Sequence, residues 1–478
     1  MNVRRACTLI LLALTGLTGC VSVGPDYIPP VPETPAAWSR MDDPAVNATA
    51  ADLGRWWHNL EDPLLSEIVR EALDANLDLR SARVRLKEAR ARRAVALAGF
   101  FPSVSSSGSG SRSQSSRETG SGMTRELYSG SLDAGWELDV FGGTRRGYEA
   151  AEADFEVSRA ELHAAQVSVA AEAALSYVEM RTLQERLRIA RDNLASQTET
   201  LQLTQWRAQA GLVDIQDVAQ ARSNREQTRS QIPALETSLA ETQHSLEILL
   251  GKTPGSMRAR LDVEGGLPAV PERIAAGIPA DALRQRPDIR AAERTLAAET
   301  ARVGVAEAAR YPSFTISGSI GLEALTFRAL GGGDAGTSSL LAGITVPIFE
   351  AGRLKSQVEI QDAVREQALV AYEKAVLTAL QEVENALVSL TRSRERARAL
   401  GDAADAARSA ADMARLRYGS GLIDFQSVLD TERSVRTIED SLASARADGV
   451  LALIRLYKAM GGGWSPQAEP APAVKDTP

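Results

Sequence analysis

Few side chains in this sequence have the types and spacing that catalysis requires. The three histidines, His58, His163 and His244, are scattered, and we expect them to lie at the surface or in packing rather than to bind a metal. No GxSxG, HExxH or phosphate-binding loop with its Lys and Ser or Thr is present. The glycines at 461–463 are expected to end a helix, not to bind a nucleotide. The sequence therefore predicts a protein that is not an enzyme and has no cofactor or metal.

The clearest chemistry belongs to the thiol of Cys20. A short positive segment and an apolar stretch at 9–14, too short to span a bilayer, lead to the tetrapeptide LTGC that ends at Cys20. This end resembles a bacterial lipobox, in which the cysteine is lipidated and becomes the first mature residue. The alternative is an ordinary signal peptide with a chance cysteine. We predict a signal peptide over 1–19, a covalent lipid on Cys20 and, because Val21 and not Asp follows, sorting to the outer membrane.

The charge and the cysteine content further limit the classes of protein to which this chain could belong. The net charge of the 478-residue chain is −8, whereas nucleic-acid binding needs a basic face. Cys7 leaves with the signal peptide, so the mature chain would hold one cysteine and no disulfide. No later apolar run reaches the ~18 residues of a membrane helix. We therefore expect membrane contact through lipid or through strands.

Segments of the chain recur 210 positions apart. Gln209–Gln220 reads QAGLVDIQDVAQ and Gly419–Asp430 reads GSGLIDFQSVLD. Three further segment pairs share this offset: 76–80 with 286–290, 101–103 with 311–313, and 250–251 with 460–461. The pattern predicts two copies of one unit.

Each copy contains a pair of candidate strands. Apolar and polar residues alternate strictly from Tyr128 to Val140, and the alternation recurs at 313–322 and 340–348. This period with a Ser-rich polar face is typical of transmembrane strands. A half-buried soluble hairpin has the same pattern, but the Ser- and Gly-rich segment 103–121 offers little to a soluble core. Closed barrels begin at about eight strands, a size whose interior is filled by side chains, and lipid does not tolerate an open edge. With four strands per chain, the smallest assembly expected to leave an open lumen is therefore a twelve-stranded trimer.

Long helices follow the strands. Residues 144–210 and 352–420 contain no proline, and each stretch would form a helix of about 100 Å. The return helix at 424–460 carries apolar heptad seams that predict coiled-coil packing. The turns at Gly211 and Gly421 are then the far tips of two helical hairpins. A proline-rich break is expected at 254–279, followed by a shorter helix at 281–310. The N-terminal helix at 64–99 is expected to supply the corresponding piece of the second copy.

The predicted fold is mostly α with a membrane β-barrel portion. A trimeric 12-stranded β-barrel with four strands per chain would continue into a long α-helical coiled-coil barrel. The predicted divisions after the signal peptide are a lipid-anchored Pro-rich tether with an equatorial segment (20–61), the first repeat (62–270), the second repeat (271–464) and a disordered tail (465–478).

Several motifs in combination resemble one family. They are the lipobox with its sequel VSVGPDY at 21–27, Trp56-Trp57 with Asp62-Pro63, RPDIR at 286–290, Arg417-Tyr418 with Gly421, and LYKAMGGGW at 456–464. The sequence resembles the outer-membrane efflux channels of the TolC family, in the lipoprotein (NodT-like) subgroup. The motifs span nearly the whole mature chain.

The resemblance implies a passive trimeric conduit in the bacterial outer membrane, lipid-anchored, with its helical body in the periplasm. Its partners would be a periplasmic adaptor (membrane fusion) protein and an inner-membrane pump of the resistance-nodulation-division (RND) class. It would export drugs or other toxic small molecules selected by the pump. Two alternatives are the outlet of a secretion system of another pump class and a non-conducting periplasmic scaffold lipoprotein.

The tips are the candidate adaptor contacts. Glycine and a capping aspartate in each turn should present backbone and short side chains, although the same residues could merely close a tight turn. The first tip lacks the aromatic residue that follows arginine in the second, so the two contacts are expected to differ. The candidate residues are Arg207, Gly211, Asp214, Arg417, Gly421 and Asp424.

A candidate gate lies where the copies disagree. Asp430 and Arg433 replace Gln220 and Ser223 of the first copy, whereas Gln426 is shared. Three Asp430–Arg433 pairs around a trimer axis could hold a periplasmic gate shut, and the acidic ring would attract cations when open. The alternative is an exposed intrahelical pair worth about 0.2–0.5 kcal/mol without functional effect.

Overall fold

A computed structural model describes most of the chain. The described residues are 22–39, 46–47, 53–263, 265–271, 273–275 and 277–464, so Cys20 lies outside them. The first half holds β1 (Val46–Asn47), α1 (Pro63–Ala75), α2 (Leu77–Ala98), β2 (Ser103–Gln114), β3 (Thr124–Leu138), α3 (Gly143–Gln209) and α4 (Ile215–Leu249). Helix α5 (Arg258–Leu261) and strand β4 (Ile274–Ala275) follow. The second half holds α6 (Pro279–Gln285), α7 (Pro287–Ala308), β5 (Ser313–Ala324), β6 (Gly336–Thr345), α8 (Arg353–Gly419) and α9 (Phe425–Ala459).

The two halves repeat the same elements at the same spacing. Helices α3 and α8 have 67 residues each, α4 and α9 have 35 each, and α2 and α7 have 22 each. The repeat extends to contacts. The Asn76 amide group donates to the carbonyl of Leu249 at 3.0 Å, and Arg286, 210 positions later, donates to the carbonyl of Ala459 at 2.7 Å. The predicted internal repeat is therefore present in the structure as well as in the sequence.

The sheet unit contains the described residues of Met1–Val31, Arg85–Arg159 and Ala291–Glu373. Its sheet has the strand order β2-β3-β5-β6, and all three pairings are antiparallel. Because directly paired residues share a face, the register separates apolar from polar side chains. One face carries Val104, Tyr128, Leu132, Trp136, Phe314, Ile316, Ile320, Leu340 and Ile344; the other carries Ser105, Ser107, Ser129, Ser131, Asp133, Thr315, Ser317, Ser319 and Ser339.

The helical unit contains the described residues of Pro32–Val84, Ala160–Arg290 and Lys374–Pro478. Its core includes Trp56, which is fully buried and stacks on Tyr457 with ring centroids 5.2 Å apart. The helical unit includes the turns of two helical hairpins. Helices α3 and α4 form the first hairpin, and α8 and α9 form the second. The heptad seam predicted for α9 is confirmed because its members Val428, Val435, Leu442 and Leu456 are all buried.

Two predicted helices are each interrupted once. The helix expected at 64–99 breaks at Asn76, whose backbone is extended and whose side-chain oxygen accepts the amides of residues 78 and 79, so that α2 starts anew. The helix expected at 281–310 breaks at Arg286 because Pro287 disfavours a helical conformation at the preceding residue. Both breaks occupy the same position of the repeat.

Other differences arise from proline and from a contact distant in sequence. The alternation predicted at 340–348 outlasts β6, which ends at Thr345 because Pro347 has no amide to donate to a ladder. Conversely, α4 continues through Pro233. The pairing of β1 with β4 was not predicted, since two-residue strands leave no periodic pattern.

Within the described residues, no helix is both long and apolar enough to cross a bilayer.

Candidate functional site

The two helical hairpins end in turns of the same backbone geometry. Gly211 (φ +70°) and Gly421 (φ +75°) are left-handed, a conformation that glycine adopts without strain. In each turn, the amide after the glycine donates to the carbonyl five residues earlier, at 2.9 and 2.8 Å. This bond, together with the glycine amide bonded three residues back, forms a Schellman motif that satisfies the last carbonyls of α3 and α8.

An aspartate starts the return helix of each hairpin. The Asp214 carboxylate accepts the amide of Gln216 at 3.2 Å. The Asp424 carboxylate accepts the hydroxyl of Ser427 at 2.7 Å and its amide at 3.0 Å, and these bonds lower the pKa of Asp424. Both aspartates are exposed N-caps, which stabilise α4 and α9 through the helix dipole.

Apolar side chains point outward around these turns. Leu212 and Leu422, each directly after the glycine, are 67% and 69% exposed. Grouped exposed apolar residues mark a site of interaction. Sequence reasoning missed this turn surface, although the Gly-Leu dipeptide in both turns was a signal for it. The turn surface consists of Trp206, Leu212, Ile215, Leu416 and Leu422.

Arg207 connects the two turns. Its guanidinium donates to the carbonyls of Tyr418 and of Gly419, the latter at 3.3 Å, and lies 4.5 Å from the centroid of the Tyr418 ring. A cation at the C-terminus of α8 is favourable, and the aromatic face adds a cation–π contact. Sequence reasoning placed Arg207 at a tip but did not predict this link. Arg417, the matching residue of the second turn, is exposed.

The predicted gate residues lie on the exposed side of α9. The amide group of Gln426 donates to the Asp430 carboxylate at 2.9 Å. In the part of the chain that the structure describes, Arg433 forms no ion pair with Asp430. Both side chains are exposed in the single chain. They are therefore available to a neighbouring copy or to solvent.

A buried carboxylate lies close to these residues. Glu432 is 4% exposed and accepts the Thr200 hydroxyl at 2.7 Å and the Arg415 Nε at 3.2 Å. It therefore joins α3, α8 and α9 near the tips. Sequence reasoning missed Glu432; the signal was a charged residue four positions after Val428, within an apolar seam.

The sheet has two open edges. Within the described residues, β2 pairs only with β3 and β6 only with β5. Strand direction alternates across the sheet, so β6 of one copy runs antiparallel to β2 of another copy placed beside it. The apolar face is exposed in the single chain, with Leu340 at 83% and Ile320 at 61%. Both edges and this face lack the cover that a stable sheet requires.

The N-terminal segment packs on the sheet unit. The amide of Val23 donates to the Phe141 carbonyl at 3.1 Å. Arg146 is buried and donates to the Val23 carbonyl at 3.2 Å and to the Asp26 carboxylate at 2.6 Å. A Cβ on Gly142, which is left-handed, would collide with the backbone of Ser22. Residues 22–26 are therefore a fixed strap.

The RPDIR motif is a structural anchor in the helical unit. Arg286 is 7% exposed and donates to the carboxylates of Asp288 at 2.5 Å and Glu382 at 2.7 Å, besides the carbonyl of Ala459. Burial alone would raise the pKa of Asp288, but the Arg286 guanidinium outweighs it and holds that pKa below its ordinary value. The motif thereby fastens the start of α7 to α8 and to the end of α9.

One of the three histidines packs against an aromatic ring. His163 stacks on Trp464 with ring centroids 4.5 Å apart. Across the described ranges, no group of three His, Cys, Asp or Glu side chains is placed to hold a metal ion.

A sheet with one apolar face and two open edges is typical of a membrane β-barrel, and the chain holds two long helical hairpins besides. Residues 68–252 and 278–462 match the family Outer membrane efflux protein. The chain is 33% identical to nodulation protein T of Rhizobium leguminosarum bv. viciae over 461 residues (96% of this chain, 94% of that protein). It is 32% identical to the toluene efflux pump outer membrane protein TtgC of Pseudomonas putida over 473 residues (96% of each chain). The solved outer-membrane channel OprN superposes with a TM-score of 0.88 at 35% identity, over 92% of this chain and 99% of that one.

The chain belongs to the outer membrane efflux protein family. The predictions of the TolC-like efflux family, of a mostly α fold with four membrane strands, of an efflux-channel function and of the outer membrane as its location are confirmed.

Proposed function

We propose that three copies of the chain close into a twelve-stranded barrel in the outer membrane, continued by a tunnel of helical hairpins. The assembly passively conducts drugs or other toxic small molecules received from an inner-membrane RND-type pump through a periplasmic adaptor. The observation that carries this proposal is the sheet with two open edges and an exposed apolar face. In lipid each unpaired backbone group is unfavourable, so the edges must pair between copies.

The number of copies follows from the size of the barrel. Two copies would give eight strands, and side chains fill the interior of a barrel of that size. Three copies give twelve strands, whose serine-rich face would line an open lumen while the apolar face meets lipid. The relative from Pseudomonas putida is described as part of an efflux pump, which supports the pump partner. Conduction of this kind needs no active site, cofactor or metal.

Cysteine pairs between β6 and β2 test the closed barrel. Ser339→Cys in β6 is combined with a cysteine replacing Ser105, Ser107 or Ser109, which belong to the same face. We expect one combination to form a disulfide between copies in purified trimers. The control Ser338→Cys lies on the opposite face and should form none with the same partners. Trimers without a disulfide in any combination would contradict the barrel.

We further propose that Cys20 carries a lipid that anchors the chain to the outer membrane. The strap supports this, because it fastens the segment that starts two residues later to the sheet unit through Arg146. Metabolic labelling with a fatty acid should mark the wild type and not Cys20→Ser. Equal labelling of both proteins would end the proposal.

The tips are proposed as the adaptor-docking site and the nearby charges as a gate. The exposed turn surface supports docking at Arg207, Gly211, Asp214, Arg417, Gly421 and Asp424. The exposure of Gln426, Asp430 and Arg433 supports a gate formed between copies. The division into a tether (20–61), two repeats (62–270 and 271–464) and a tail (465–478) stays a proposal. The two family matches, 68–252 and 278–462, support it.

A further inference from the structure

The interior of the first hairpin changes along its length. Between 169 and 178, helix α3 buries alanine, valine and tyrosine side chains in the core of the helical unit. Nearer the turn, α3 and α4 also bury five uncharged polar side chains, each at most 6% exposed. We call them the polar layer: Gln197, Thr200 and Thr204 of α3, with Asn224 and Thr228 of α4.

Three side chains of the polar layer have hydrogen-bond partners. The Thr200 hydroxyl donates to Glu432 of α9 at 2.7 Å, and the Thr204 hydroxyl donates to the carbonyl of Thr200 at 2.8 Å. The Thr228 hydroxyl oxygen accepts from Arg436 of α9 at 3.5 Å. The polar layer therefore lies between α3, α4 and α9.

The other two side chains of the polar layer are incompletely bonded. The side-chain nitrogen and oxygen of Asn224 and the side-chain oxygen of Gln197 are buried without a hydrogen-bond partner among the described residues. Such groups have lost their water and gained no bond in its place, which is unfavourable. The polar layer would therefore gain hydrogen bonds if water reached it.

The second hairpin provides an internal comparison. Its helices have the same lengths as those of the first hairpin, and its turn has the same backbone geometry. Of the five residues 210 positions after the polar layer, four are apolar, and the fifth, Ser434, is exposed. The four apolar residues are Ala407, Ala410, Ala414 and Ile438. The two hairpins therefore share a backbone conformation but differ in their interiors.

We propose that the first hairpin opens locally at the polar layer and admits water there, whereas the second hairpin stays closed at the equivalent positions. Local opening is favoured where the exposed groups can bond to water and disfavoured where apolar side chains must be exposed. Opening of the polar layer supplies partners to Asn224 and Gln197, whereas opening of the second hairpin uncovers alanine and isoleucine. The inference concerns a single chain and holds independently of the proposed trimer and of conduction.

Hydrogen–deuterium exchange of the purified wild-type protein, read by mass spectrometry, tests this difference. The amides of 197–204 in α3 and of 407–414 in α8 lie at equal distances from their turns, so fraying of the helix ends affects both alike. We expect the amides of 197–204 to exchange about tenfold faster or more, because amide exchange reports local opening. Equal exchange of the two segments would overturn the inference.

A variant assigns the difference to the polar layer. Asn224→Leu replaces the unpaired amide by an apolar group of similar shape, so exchange at 197–204 should slow about tenfold. The matched control Gln227→Leu adds the same side chain on the exposed side of α4 and should leave exchange unchanged. Wild-type exchange in a folded Asn224→Leu would overturn the role of the polar layer. The wild-type comparison decides the proposal even if Asn224→Leu does not fold.

The proposed function is tested separately. A trimer that conducts, with equal exchange of the two segments, would overturn this inference alone. Faster exchange at 197–204 in a protein that forms no trimer would support the inference and overturn the proposed channel.

Discussion

Replacement of Arg286 by alanine should destabilise the helical unit strongly. The side chain is buried and loses three contacts at once: two carboxylates and the carbonyl of Ala459. Removing one partner of a buried ion pair destabilises proteins by about 3–5 kcal/mol. Because the side chains of Asp288 and Glu382 are 47% and 49% exposed, water can rehydrate them. We therefore expect the lower end of that range, about 3 kcal/mol.

The assay is the rate at which purified trimers unfold at elevated temperature, since large membrane assemblies unfold irreversibly. If the contacts of Arg286 are lost before the transition state, 3 kcal/mol corresponds to unfolding about 150-fold faster. Arg284→Ala is the matched control, because Arg284 is 80% exposed and its pair with Asp281 spans 3.5 Å. An exposed pair contributes about 0–1 kcal/mol, so this variant should unfold at nearly the wild-type rate. Equal rates for the two alanine variants would refute the argument that burial gives Arg286 its effect.

Further predictions concern pH, the tips and the gate. Arg286 lowers the pKa of Asp288 in the folded state, so the stability that this pair contributes should be complete above the ordinary pKa of Asp and should be lost as the pH falls through the lowered pKa. Acid unfolding of Asp288→Asn, compared with the wild type, measures this contribution. Equal acid sensitivity of the two proteins would contradict the prediction. Gly421→Trp should give folded trimers without adaptor cross-linking or drug resistance, whereas Gly421→Asn, which tolerates the left-handed turn, should retain both; normal resistance in the Trp variant would remove the docking role. Asp430→Ala and Arg433→Ala should each enlarge single-channel openings in a planar bilayer without adaptor and increase antibiotic leakage, and wild-type values in both would place closure elsewhere.

The sequence predicted the features that repeat along the chain. Proline-free stretches and heptad seams located α3, α8 and α9, because local periodicity determines where a long helix lies and which side it buries. Alternation in β3 and β5 located the sheet for the same reason. The turns were found from Gly211 and Gly421, which require a left-handed backbone.

Contacts between distant segments were not predictable in this way. Arg207 donates to the backbone carbonyl of Tyr418. Because every residue has such a carbonyl, the residue type at the accepting position gives no signal for this hydrogen bond. The buried Glu432 departs from the apolar pattern of its seam, and its burial depends on Thr200 and Arg415, which lie on two other helices. The break at Asn76 depends on a side-chain cap, for which several residue types compete. Each of these features needs the three-dimensional arrangement of two or more helices.

Single-channel recording of purified trimers in a planar bilayer shows whether the protein conducts. We expect discrete conductance steps whose size scales with the conductivity of the salt solution, because the lumen is filled with water, and larger steps for Asp430→Ala. Trimers that insert into the bilayer but give no steps, in the wild type and in Asp430→Ala alike, would contradict a conducting channel and leave a lipid-anchored scaffold.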